Sequence, residues 1–136
     1  MENKMPDLAN DLNNLVMSEQ AQPLLDAVRK HIDENVAPIT EEFYALNAEK
    51  DDRWSWHPRQ LELLGGAKEK AKESGLWNFF LPDADTGEGL KNLDYAYIAA
   101  DLGRFPLASE TLNCSAPDTG NMEVLERVGT QAQKDE

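Results

Sequence analysis

Basic residues are scarce in this chain and cysteine is nearly missing. Thirteen Lys and Arg stand against 26 Asp and Glu, a formal net charge of −13 over 136 residues. Such a field repels nucleic-acid phosphates and anionic lipid surfaces, so neither nucleic acid nor a membrane is expected as a partner. Cys114 is the single cysteine, which excludes an intramolecular disulfide and any metal site built from several thiolates. It has no histidine nearby in sequence to activate it and reads as a small buried hydrophobe. The two histidines, His31 and His57, fall on different segments with no His-x-x-x-His pattern, so no metal site is expected. No apolar run reaches the length of a bilayer, and the first twenty residues carry Glu2, Asp7, Asp11 and Glu19 but no Arg, unlike a transit peptide. These absences point to a reduced, cytoplasmic setting. No segment alternates with period two, which argues against strands.

What the chain does have is helical periodicity, at a length that fits one domain. Residues 1–18 read as a loosely ordered, Asn- and Asp-rich arm, and 19–136 as the folded domain. From Glu19 the positions Leu24, Leu25, Val28, Ile32, Val36, Ile39, Phe43 and Leu46 recur at three- and four-residue steps, the stripe of a long amphipathic helix. Pro38 interrupts it, yet the stripe resumes in phase, so a kinked helix is expected. His57-Pro58 opens a second helix with Leu61, Leu64, Ala67 and Ala71 on one face, closed by Gly75 in a left-handed cap. Gly65-Gly66 inside it predicts close packing against another backbone.

Leu76 to Leu81 is an apolar connector with Trp77 expected in the core, and 82–89 is a turn-rich loop. A third helix follows from Asn92 as N-cap, with Leu93, Ala96, Tyr97, Ala99, Ala100 and Leu102 as its apolar face and Gly103 as its end. Pro106 to Cys114 reads as a short fourth helix, and 117–120 as a turn before a fifth, Met122 to Val128, which Gly129 stops. Thr130 then caps a helix that the chain leaves after about one turn, the signature of a domain cut from something longer. The expected class is all-α, a bundle of five or six helices.

Several of these pieces together resemble one family. Gly75-Leu76-Trp77-Asn78, Leu81-Pro82, the loop with Gly87-x-Gly89-Leu90, a helix carrying Tyr95 and ending Ala99-Ala100-Asp101-Leu102-Gly103-Arg104, and Gly129-Thr130-x-x-Gln133-Lys134 resemble the N-terminal domain of the acyl-CoA dehydrogenases. The kinked helix through Val36-Ala37-Pro38 fits the same domain. The stretch from Asn113 to Leu125 looks most like the subgroup sometimes fused to an aminoglycoside-phosphotransferase-like domain. The glycine loop Thr86-Gly87-Glu88-Gly89-Leu90 departs from the family's commoner adjacent pair.

The resemblance implies an FAD-dependent oxidoreductase of fatty acid β-oxidation. Such an enzyme carries out α,β-dehydrogenation of an acyl-CoA thioester, and as a full-length protein it is a homo-oligomer. It implies also that the catalytic Glu and the flavin-binding residues lie in middle and C-terminal domains that these residues do not include, so no catalytic or cofactor-binding residue is expected here. What this domain contributes is a wall of the acyl pocket: Leu112, Asn113 and Ala116 would face the acyl chain, with Cys114, Pro117 and Met122 as neighbours. Ordinary helix packing at those six positions is the competing reading, and Asn113 and Asp118 equally suit caps and turns. Trp54 and Trp56, two apart in a polar loop, are placed to lean on a partner domain or second subunit. The alternative to the enzyme reading is a stand-alone, non-catalytic helical domain that binds a protein partner or an acyl chain.

Overall fold

Proline sets where the helices begin. Pro23, Pro58 and Pro106 each occupy the first turn of a helix, where the missing N–H is one that no intrahelical carbonyl would have claimed; Pro38 lies instead inside a longer helical run. The structure, a computed structural model, describes residues 15–135. Among them are six helices and no strand. Helix α1 runs as one rod through Gln22–His31, a π turn at Ile32–Val36, and Ala37–Ala45; α2 is Pro58–Glu73, α3 Asn92–Leu102, α4 Pro106–Thr111, α5 Asp118–Val128 and α6 Gln131–Asp135. The fold is all-α, as the periodicity predicts.

The π turn is the physical answer to Pro38. Ala37 N–H reaches back to Ile32 O across the widened turn, which moves the preceding carbonyls away from the proline ring while letting the helix continue. The stripe therefore stays on one side: Leu25, Val28, Ile32, Val36, Phe43 and Leu46 are all buried. The first part of α1 packs on α3, the last part on α2, and α4 crosses over the π turn to touch both α1 and α2. Phe79, Ile98 and Leu112 fill the centre from the connector, α3 and the end of α4.

Polar groups tie these layers where they cross. The Gln60 side chain is fully buried; its Nε2 donates to Phe43 O at 2.8 Å and to Asn47 Oδ1 at 3.1 Å, while its Oε1 accepts from His57 N–H at 3.1 Å. The last bond is half of a capping box, the other half being Arg59 N–H donating to His57 Nδ1 at the start of α2. His31 is buried against α4, with Nε2 at 3.0 Å from Thr111 Oγ1. Thr111 gives its own proton to Ala108 O, so His31 is the donor in that pair and its Nδ1 is left to accept from Asn35.

Several expected features differ. The arm over 1–18 falls mostly outside the described residues, but at its end the Ser18 N–H and hydroxyl donate to the two carboxylate oxygens of Asp94 at 2.7 and 3.0 Å. The buried positions of α3 are Asp94, Ile98 and Leu102, one turn apart, while Ala96, Tyr97, Ala99 and Ala100 face outward. A buried aspartate on the core side had disguised that face. The cap of α3 is Lys91, not Asn92. On α2, Leu61 is exposed and the buried Gln60 replaces it. Gly65 and Gly66 approach no backbone, since a Cβ at either would meet nothing within 4 Å. Trp77 is only half-buried, with the Lys72 ammonium 4.8 Å above its ring. Helix α4 stops at Thr111, three residues early, and α5 starts at Asp118, absorbing most of the expected turn.

Gly75 and Gly129 end their helices as expected. Gly75, at φ +72°, sits in a Schellman turn with Leu76 N–H on Ala71 O and Gly75 N–H on Lys72 O. Gly87 is required by space: a Cβ there would lie 2.1 Å from Leu81 O. That contact folds the 82–89 loop back onto the connector, with Glu88 N–H bonded to Phe79 O.

Candidate functional site

The segment after α4 leaves the core in an uncommon way. Leu112 is fully buried in the central cluster. The next residue, Asn113, takes a left-handed backbone at φ 59°, and Asn78 in the connector does the same at φ 60°. Their side chains meet, Asn113 Nδ2 donating to Asn78 Oδ1 at 2.6 Å. Left-handed backbone costs a non-glycine residue roughly 1–2 kcal/mol, least for asparagine, so two such residues bonded to each other form a clasp between connector and segment. Cys114 N–H then bonds Ser109 O, and a cis Ala116–Pro117 bond leads into α5.

Between the clasped segment, the connector, α3 and α5 lies an open cavity of about 420 Å³. Tyr95 and Cys114 form its floor, Ala116 its near edge, and Phe80 and Leu90 an apolar side. The polar side comes from α5, where Thr119, Glu123 and Arg127 recur every four residues and so share one face. Burial pushes the Cys114 thiol up to about 12, against the opposing pull of a hydrogen bond with Tyr95. Burial, followed by the Cys114 contact, likewise pushes the Tyr95 hydroxyl up to about 12. Both groups are uncharged at neutral pH, which makes the floor neutral and Cys114 a poor nucleophile.

Of the six residues expected at an acyl wall, Cys114 and Ala116 line this cavity. Leu112 lies beneath it in the core, Asn113 is engaged in the clasp, Pro117 is exposed, and Met122 is half-buried on α5. Tyr95, Asn92, Glu123 and Arg127 line it without having been singled out as site residues. For α5 a signal existed, the four-residue spacing of Thr119, Glu123 and Arg127; for Asn92 none did, because it reads as a cap. Among the described residues no group of three His, Cys, Asp or Glu side chains is placed to hold a metal ion.

Comparison with known proteins agrees with this architecture. The sequence profile of the family described as "Acyl-CoA dehydrogenase, N-terminal domain" matches residues 18–136. Acyl-CoA dehydrogenase family member 10 of Mus musculus is 44% identical over 131 residues, 88% of this chain and 12% of that protein. Family member 11 of Rattus norvegicus is 42% identical over 120 residues, 86% of this chain and 14% of that protein. A solved chain from Mycobacterium abscessus, assigned to the acyl-CoA dehydrogenases, superposes with a TM-score of 0.71 at 41% identity, covering 88% of this chain and 30% of that one. This chain thus spans about one-seventh of the curated relatives it matches. It belongs to the acyl-CoA dehydrogenase N-terminal domain family.

Proposed function

We propose that this chain supplies one wall of the acyl pocket of an FAD-dependent acyl-CoA dehydrogenase and catalyses nothing by itself. The observation that carries the reading is the open cavity beside α3 and α5, with its uncharged Tyr95–Cys114 floor and the small Ala116 at its edge. A neutral, partly apolar floor suits an alkyl chain, each buried methylene being worth roughly 0.8 kcal/mol. Four cavities along the described residues are open and about 310–460 Å³. In this reading FAD is held mainly by residues outside this chain. The part left to these residues is to exclude water from the acyl chain and to orient it. The acyl-CoA substrate, a homo-oligomeric state, β-oxidation and a cytoplasmic location belong to the same proposal; among the described residues no helix is long and apolar enough to cross a membrane.

The test uses the longest polypeptide that contains these residues. Ala116→Phe should lower kcat/KM for long acyl-CoA substrates by about tenfold or more, the effect of one lost contact of about 1.4 kcal/mol, while the shortest substrates keep their rate. An unchanged chain-length profile refutes the acyl wall. A second reading, a stand-alone helical domain that binds a partner or an acyl chain, draws on the single buried core cluster that these helices share. The intact mass of the natural polypeptide separates the two: a mass near 15.2 kDa favours the stand-alone domain, and a much heavier species favours the dehydrogenase.

A further inference from the structure

On the other side of the clasped segment lies a second cavity, of about 460 Å³, between the end of α1, α4 and the 50–56 loop. Its chemistry is unlike that of the first. Four aromatic rings, Phe43, Tyr44, Trp54 and Trp56, line it together with two cations, Lys50 and Arg53. Trp54 is 78% exposed and Trp56 53%, a heavy apolar exposure for a polar loop. The loop is nonetheless braced: Asp52 accepts from Trp54 N–H, Ser55 N–H and Ser55 Oγ.

Charge sharpens the contrast. Of the twelve Lys and Arg side chains among the described residues, Arg29, Arg59, Lys68, Lys70, Lys72 and Arg104 pair with carboxylates and the other six do not. Neither Lys50 nor Arg53 takes part in any ion pair among the described residues. Instead the Arg53 guanidinium stands 4.3 Å from the Trp54 ring centroid and the Lys50 ammonium 5.9 Å from that of Trp56. Of the acidic groups nearby, Glu49 and Asp51 flank Lys50 on the exposed chain, while the other two are engaged elsewhere. Glu110 pairs with Lys68, and Asp52 is held below the usual carboxylate range first by Ser55, then by Trp54 N–H, with Lys50 adding at longer range. What remains is a pair of cations outside any ion pair beside an indole, Trp54, that is 78% exposed.

We propose that this cavity binds a nucleoside monophosphate, the base stacking on Trp54 and Trp56 and the phosphate meeting Arg53 and Lys50. Flat aromatic rings stack on indole faces, and a guanidinium matched to a phosphate gives a charge-assisted pair. Neither half alone uses the whole surface: a neutral base leaves the cations unpaired, and a bare phosphate leaves the indoles exposed. The cavity volume falls within the usual range for a small ligand, about 300–1,000 Å³. The proposal does not rest on the acyl-wall reading, because the two cavities share no lining residue.

The test is a titration of the full chain with 5′-AMP, following the indole N–H resonances of Trp54, Trp56 and Trp77. The first two should shift and saturate, while Trp77, outside this cavity, stays fixed. Adenosine and inorganic pyrophosphate should each bind at least about tenfold more weakly, the factor carried by a 1.4 kcal/mol contact, and Arg53→Gln and Trp54→Leu should each weaken AMP comparably. Both side chains are exposed, so these variants keep the fold, which unshifted core resonances will verify. Four results overturn the proposal: no saturable shift at millimolar AMP, equal response to adenosine or to pyrophosphate, an Arg53→Gln variant that binds as before, or a short oligoadenylate binding far more tightly than AMP, which makes the site a landing point for a strand. Shifts that depend on protein concentration without nucleotide assign the surface to a second copy of the chain and also overturn it.

Discussion

From Leu25 to Val36 helix α1 loses a side chain from solvent every three or four residues, whereas α5, eleven residues long, buries none. Val124 and Val128 of α5 remain 60% and 76% exposed. The first region is one packed body: α1 to α4 share one core, and buried polar groups such as Gln60 and His31 have partners within it. The second is a thin layer, held to the body through the Asn78–Asn113 clasp and the Cys114 backbone. Stability and site therefore reside in different places. The body keeps the fold, and the layer provides α5's side of the open cavity.

That contrast can be broken most directly in the body. Phe79 is almost fully buried at its centre, so Phe79→Ala should cost about 3–5 kcal/mol in a urea melt and unfold both regions together. The clasp comes next. Asn113→Ala keeps a left-handed backbone that alanine resists and strands Asn78, for an expected loss of about 1–2 kcal/mol. Asn113→Gly should lose less, because it relieves the strain; equal losses would show that the backbone conformation plays no part.

Acid should weaken the body through His31. Burial lowers its pKa below the ordinary 6.5, so the unfolded chain takes up the proton first as pH falls. The contribution is full above about pH 6.5 and drains as pH drops toward the lowered folded value. Replacing His31 by Gln removes the titration, and the change in urea midpoint across that window should shrink relative to the parent. An identical change in both proteins would move the effect to the carboxylates. The smallest effect is expected on α5, where Val128→Ala should stay within about 0.5 kcal/mol. A loss comparable to that of Phe79→Ala would end the distinction between body and layer.

Much of the body was legible because α1 carries its pattern openly. Pro38 looked like an interruption, and the π turn shows why the stripe survives it. The His57-Pro58 start of α2 and the Gly75 stop were legible for the same reason, since each rests on a local backbone requirement. Polar residues on buried faces were not. Gln60 and Asp94 carry no apolar signal, and the partners brought by distant segments, Phe43 O and Ser18, are what satisfy them when buried. The site was half-legible: Cys114 and Ala116 stand at the cavity, but Tyr95 and Asn92 reach it by tertiary packing that no single helix pattern encodes.

Hydrogen exchange of the chain by itself, followed residue by residue, tests the division most directly. The account predicts slow amides across Val28, Ile32, Val36 and Ile98, opening only with global unfolding. It predicts amides of α5 and α6 that exchange orders of magnitude faster through local opening. Equal protection of α5 and α1 would contradict it, and would make the α5 layer part of the same cooperative unit as the core.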